Sequence, residues 1–254
     1  MTRFSVLAAG ALAGAGLLCG SGAEAAGPSK AITAAVADSA RPQADKDRDA
    51  NRKPAETLAF AGIKPGDKVV ELMPASGYYT RLLSVVVGPK GHVYAVSPPA
   101  RPGGRDMGAA VQAIAADPHY ANVTPVASGF TSISVPEPVD VVWTSDNYHD
   151  FHNSFPNGPP ADIGAFNKTM LGLLKPGGTF LVVDHAAEAG SGTRDTGTLH
   201  RIDPAAAKEE ATAAGFKFEK QGDFLHSADD PHTAKVFELH GKEDDFALKF
   251  TKPK

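Results

Sequence analysis

Gly62-Ile-Lys-Pro-Gly-Asp-Lys-Val-Val-Glu-Leu-Met-Pro-Ala-Ser-Gly-Tyr-Tyr-Thr80 decides the fold of this chain. Pro65-Gly66-Asp67 reads as a turn. Val69 to Met73 is a short apolar run that carries one acid, Glu71. Pro74 to Gly77 is a tight loop of small residues, and Tyr78 to Val87 continues at helical spacing. A strand that passes through such a loop into a helix is a docking place for nucleotide-like cofactors. The backbone approaches the ligand closely there, and a strand-end acid can bind a ribose hydroxyl.

Outward from this unit, strands and helices alternate. Asp45 to Gly62 predicts a helical segment with Arg48, Asp49 and Arg52 on its polar half and Gly62 as its stop. Strand 1 is expected at Lys68 to Leu72, strand 2 at His92 to Val96, strand 3 at Val123 to Ala127, strand 4 at Val139 to Thr144 and strand 5 at Thr179 to Val183. Helices are expected at Tyr78 to Val87, Met107 to Ala116, Ile163 to Leu174 and, after the Asp203 cap and Pro204, as far as Ala214. Phe216 to Phe224 and Ala234 to His240 read as a closing pair of strands around Asp229-Asp230-Pro231, and Lys249 to Lys254 as a solvated basic tail. The pattern calls for a mostly parallel sheet covered on both faces, an α/β fold, with polar residues gathered beyond the carboxyl ends of its strands.

The N-terminus reads as a secretory signal over residues 1–25: Arg3, the apolar Phe4 to Leu18, then Ala23-Glu-Ala25 as cleavage site. This predicts a periplasmic or secreted protein with no integral membrane segment after cleavage. Cys19 is the one cysteine, so a chain cut after Ala25 has no disulfide and no thiolate ligand. Removing residues 1–25 takes away Arg3 and Glu24 and leaves the net charge at −4, which argues against nucleic acid as partner. Residues 26–45, rich in Ala, Ser and Pro, read as a flexible linker, and residues 46–254 as one domain.

Arg52-Lys-Pro54, Gly77-Tyr-Tyr-Thr80, Asn147-Tyr-His-Asp150, Leu174-Lys-Pro-Gly-Gly178, Asp184-His185 and Leu199-His-Arg-Ile202 together resemble the class I S-adenosylmethionine-dependent methyltransferases, most closely an exported bacterial subgroup. The resemblance implies a Rossmann-like methyltransferase fold whose seven-stranded sheet ends in an antiparallel hairpin. It also implies S-adenosylmethionine as cofactor and a small-molecule acceptor. Glu71, Pro74, Ala75, Gly77, Tyr78, Ser97 and Asn147 would then face the cofactor, and Tyr148, Asp184, His185 and Arg201 the acceptor. The loop after strand 1 departs from the family's glycine-rich pattern, with Met73, Pro74, Ala75 and Ser76 before Gly77; Ser97 stands where an acid is usual.

His149 is the expected general base, with Asp150 and His200 beside it, because an imidazole titrates near neutrality. A structural His–Asp pair is the competing reading. Asp184, His185 and His200, with His149 and His152, could place three imidazoles and a carboxylate in one crevice and so hold a transition metal, but no local ligand spacing supports one, so the set is read as hydrogen-bonded support with no metal. Trp143 is assigned to the core, and Tyr78 and Tyr79 are divided between cofactor and core. The alternative to a transferase is an exported, non-catalytic ligand-binding or metal-binding domain on the same scaffold.

Overall fold

The computed structural model describes residues 1–2, 27–153 and 160–254. Residues 3–26, on which the expected secretory signal falls, and residues 154–159 of the loop after strand 4 lie outside the described residues. Seven strands form one sheet: β1 (Lys68–Leu72), β2 (His92–Ser97), β3 (Val123–Ala127), β4 (Val139–Ser145), β5 (Leu174–His185), β6 (Lys217–Gly222) and β7 (Asp245–Thr251). Their spatial order is β3-β2-β1-β4-β5-β7-β6. β7 runs antiparallel to both of its neighbours, β5 and β6, and the remaining pairings are parallel.

The β1 register explains the position of Glu71. Side chains alternate along a strand, so Val70 and Leu72 face one core while Val69 and Glu71 face the other. Glu71 is level with Ala95 on β2 and Trp143 on β4. The face that carries Glu71 is covered by α1 (Lys30–Val36), α4 (Pro54–Ala61), α5 (Tyr78–Val87) and α6 (Ala109–Ala115). The opposite face is covered by α7 (Ile163–Leu173) and α8 (Pro204–Ala213). Gly62, with φ of 83°, ends α4, and the Asp203 side chain accepts from Ala205 N to open α8, as the sequence predicts.

Three expectations are corrected. Residues 26–45 are not a featureless tether: α1 is capped by Ser29, and its Ile32 and Ala35 are buried in contact with α5. Its alanines are too weakly apolar to mark a helix locally, and the buried face exists only because α5 lies beneath it. The helical segment from Asp45 is divided into two short turns, α2 (Gln43–Lys46) and α3 (Asp49–Arg52), and α4; Lys53, left-handed at φ 40° ahead of Pro54, separates α3 from α4. The last strand is Asp245–Thr251; residues Val236–Glu238 form only a short 3₁₀ turn. The expected basic tail therefore begins inside a strand, whose Phe246, Leu248 and Phe250 enter the second core.

The correction to residues 26–45 carries a test. Ile32 is 2% exposed. Ile32→Ala is expected to destabilise the protein by about 2–4 kcal/mol, read as a shift of the denaturant midpoint at unchanged slope. In a featureless tether the same change would move stability by less than about 0.5 kcal/mol.

Candidate functional site

A small cavity of about 230 Å³, open in part to solvent, lies where β1 and β4 end. Its floor is the β1–α5 loop from Met73 to Ser76, and Glu71, Trp143 and Asn147 come from the strand ends. The sequence reading of this loop is correct in place and incomplete in mechanism. Met73 (φ 47°), Ala75 (φ 50°) and Asp146 (φ 57°) all adopt the left-handed conformation that glycine ordinarily supplies. Each such residue costs about 1 kcal/mol or more, so the surroundings must hold the loop in shape.

Part of that hold is the N-terminal segment. The Arg52 guanidinium pairs with Asp146 and lies 5.0 Å from the Tyr78 ring centre and 5.7 Å from that of Tyr79. Arg48 and Arg41 lie 5.3 Å and 5.5 Å from the same Tyr78 ring. Tyr78 Oη donates to Asp49 at 2.6 Å, and Asp49 accepts two further bonds from Arg41. Burial opposes the charge of Asp146, but Arg52 and His185 outweigh it and its pKa is lowered. Burial likewise opposes the charge of Arg52, yet Asp146 raises its pKa. Arg48 differs from both. It lines the cavity, no carboxylate among the described residues lies within ion-pairing distance, and burial together with Arg52 lowers its pKa.

Glu71 is 3% exposed and accepts a hydrogen bond from Thr80 Oγ1 at 2.6 Å. Burial pushes its carboxyl up to about 7, against the opposing effects of Thr80 and Arg81. Trp143 is fully buried, as expected of a core residue, and Tyr79 packs on it at 4.7 Å. Both also line the cavity, and the Trp143 indole N–H has no hydrogen-bond partner among the described residues. An orphaned buried donor beside a cavity is unusual and fits a ligand acceptor.

The other expected cofactor residues divide. Pro74, Ala75, Tyr78 and Asn147 line the cavity. Asn147 also joins the two strand ends, donating to Leu72 O at 3.2 Å and Ser145 O at 2.7 Å. Gly77 and Ser97 are not in its wall. The constraint at Gly77 is helix packing: it takes φ of 81°, and a Cβ there would meet Ile114 Cδ1 at 2.1 Å. Ser97 is buried under the segment that leads into α6, near Gly108.

The residues expected to bind the acceptor mostly hold the fold. Tyr148 is fully buried; its hydroxyl donates to Glu210 at 3.0 Å and accepts from Asn167 at 2.8 Å. Arg201 is fully buried, pairs with Asp230 at 2.8 Å and donates to the carbonyls of Ala186 and Ala234. Asp184 is fully buried and accepts from His149 N, His149 Nδ1 and His185 N, each within 2.8 Å. His185 pairs with Asp245 at 2.6 Å; burial opposes its charge, but that carboxylate raises its pKa. None of these four lines the cavity. Local patterning marked them as polar residues near strand ends, and only the packing shows them turned inward.

The expected catalytic residues do come together. His149 is buried, with Nδ1 on Asp184 at 2.7 Å and Nε2 3.4 Å from Asp150 Oδ1. His200 Nδ1 lies 3.7 Å from the same Asp150 oxygen. Burial disfavours the charged form of His149, but Asp184 and Asp150 outweigh it and its pKa is raised. Burial and His149 lower the pKa of His200, and burial raises that of Asp150. Only Asp150 of the three lines the cavity. His152 points elsewhere, to Glu210 at 3.3 Å. The cavity residues that the candidate set omitted are chiefly Arg48, Arg52 and Asp146. The Arg52-Lys-Pro54 segment is the available signal for Arg52, and the polar half of the helical segment from Asp45 for Arg48; nothing local marks Asp146.

No protein-family model matches the chain, and no curated protein matches it in sequence. Solved structures match it in fold. A SAM-dependent methyltransferase from Aquifex aeolicus is 19% identical with a TM-score of 0.58, over 83% of this chain and 98% of its own. An S-adenosylmethionine-dependent methyltransferase from Mesorhizobium loti is 14% identical with a TM-score of 0.55, over 80% and 99%. Aeropyrum pernix fibrillarin, with natively bound S-adenosyl-L-methionine, is 18% identical with a TM-score of 0.52, over 80% and 76%. The chain therefore has the Rossmann-like methyltransferase fold.

Proposed function

We propose that this chain is an S-adenosylmethionine-dependent methyltransferase with a small-molecule acceptor. The observation that carries the reading is the chemistry of the cavity at the β1 and β4 ends. It combines Arg48, which has no ion-paired carboxylate among the described residues, a buried carboxyl poised near neutrality and an indole donor without a hydrogen-bond partner among those residues. These residues fit the methionine end of the cofactor. Arg48 suits its carboxylate; Glu71 and the faces of Tyr79 and Trp143 suit its cationic groups. When bound, the cofactor supplies a methyl group already activated on a sulfonium.

The chain's own part is then positioning and proton transfer. Arg52 and Asp146 brace the cavity wall through their ion pair. Asp150 is the group that can take a proton from an acceptor at the wall, and burial already favours its protonated form. The base role expected for His149 passes to Asp150, because His149 is buried behind it. His149, itself oriented by Asp184, and His200 stabilise the charge on Asp150.

Calorimetric titration with S-adenosylmethionine and S-adenosylhomocysteine tests the reading. Micromolar binding of both is the expected result; no binding at millimolar ligand would sink it. A second reading, a binding domain for some other small molecule, draws on the absence of an acid at Ser97 and the exclusion of that residue from the cavity wall. It would take over if neither compound binds. Export is proposed on residues 1–25, and N-terminal sequencing of protein from a periplasmic fraction should begin at Ala26. Among the described residues, no helix is long and apolar enough to cross a membrane.

A further inference from the structure

We infer that His149, Asp150 and His200 form a binding site for one divalent transition-metal ion at the edge of the cavity. The argument starts from which atoms converge. His149 Nδ1 faces Asp184 Oδ1 at 2.7 Å, so in the neutral ring that nitrogen keeps the proton and Nε2 carries the lone pair. Nε2 lies 3.4 Å from Asp150 Oδ1, and His200 Nδ1 lies 3.7 Å from the same oxygen. All three donor atoms fall within 4.8 Å of one another. Electron pairs gathered this closely repel unless a proton or a metal cation lies among them, and three nitrogen and oxygen donors converging from separate segments offer a metal its ligands.

One of the separations already matches coordination, and the others lie within 4.8 Å. With bonds of about 2.0–2.1 Å, the edges of a tetrahedral ligand set are roughly 3.3–3.4 Å. One observed pair has that spacing and the next is a few tenths of an ångström longer, within reach of a small side-chain adjustment. The outer support is also present. Asp184 is fully buried and fixes the His149 ring from behind, the carboxylate–histidine arrangement that orients metal ligands. His200 is held at the other side by its ring contacts with His149 and Phe237, at 5.4 Å and 4.7 Å.

Donor type selects the ion. Two imidazoles and one carboxylate suit zinc, iron(II), cobalt or nickel better than magnesium or calcium, which prefer all-oxygen sets. Three protein ligands leave positions open, and Asp150 brings the site to the cavity wall. The second group of this kind, His185, Glu243 and Asp245, is a weaker candidate, because His185 Nδ1 already shares a hydrogen bond with Asp245 at 2.6 Å. The metal site stands whether or not the chain transfers methyl groups. If it does, a bound ion takes over the task given to Asp150 by lowering the pKa of an acceptor hydroxyl that it binds.

The test is cobalt(II) and zinc titration of the full chain after dialysis against chelator, without added cofactor. One equivalent of cobalt with a visible d–d band is expected. His200→Ala and Asp150→Asn should each weaken binding by about a hundredfold or more, while His152→Ala leaves it unchanged. Circular dichroism confirms that each variant is folded; His200 is the principal probe because it is only partly buried. The inference is overturned if no metal binds at millimolar concentration, as when a proton bridges the three groups. It is equally overturned if binding survives in His200→Ala, or is lost in Glu243→Gln instead. S-adenosylmethionine affinity is measured separately, so failure of the metal site and failure of the transferase reading remain distinct.

Discussion

Glu71→Gln is expected to weaken S-adenosylmethionine binding by about thirtyfold or more at pH 8 and to flatten its pH dependence. The glutamine keeps the volume and can still accept from Thr80 Oγ1, so the change removes charge and little else. Losing a buried charge–charge contact with a cationic ligand costs about 2–5 kcal/mol, which sets the scale. Burial holds the carboxyl at about 7. A cationic ligand favours the ionised form, so binding below that pH must expel a proton. Wild-type affinity should therefore rise as pH increases towards 7 and level off above it, by up to about tenfold per unit. The same variant has a stability signature of defined sign. A folded pKa raised above the unfolded value contributes stability that is full below about 4.5 and lost as pH rises through about 7. At pH 8 the wild type carries a buried carboxylate at a cost of about 3 kcal/mol, and Glu71→Gln should be the more stable protein. Because Asp150 and His149 also titrate, the quantity to measure is the difference between wild type and variant across pH 5.5–8.5. Equal affinities at pH 8 would remove Glu71 from the site.

Arg201→Ala should lower stability by about 3–5 kcal/mol, a fall in Tm of roughly 10 °C for a domain of this size. The side chain is fully buried, and its removal strands the Asp230 carboxylate, 2.8 Å away, together with the Ala186 and Ala234 carbonyls. Uncompensated buried polar groups make up most of the cost. Arg201→Lys should recover only part of it, since one ammonium cannot serve three acceptors spread around a planar fork. Had Arg201 gripped an acceptor, as its sequence neighbourhood implied, alanine would leave stability within about 0.5 kcal/mol and raise KM instead. A Tm unchanged in Arg201→Ala would restore that role.

These two residues illustrate what local pattern carries. Glu71 is an acid inside an apolar strand, an anomaly visible without any neighbour, and the structure finds it at a cavity. Arg201 lies in a polar run, and nothing in that run tells a buried ion pair from a ligand clamp. Asp184 and Tyr148 went astray for the same reason. Conversely, Arg48 and Asp146 reach the cavity through contacts that span the chain, with Asp146 meeting Arg52 across the strand ends.

The sequence by itself determined the alternating strands and helices, the β1–loop–α5 unit and the boundaries of α5, because each rests on short-range periodicity and turn chemistry. It also singled out Glu71 at the end of β1 and His149, Asp150 and His200 as candidates in the loops that follow β4 and β5. The tertiary structure alone decided that residues 30–36 form a helix, that Asp245–Thr251 enters the sheet between β5 and β6, and which polar side chains face the cavity. Those outcomes depend on surfaces supplied by distant parts of the chain. An alanine-rich helix is stable only against a partner, and a charged strand only between two others. A buried arginine is tolerated only where folding has brought its carboxylate to meet it.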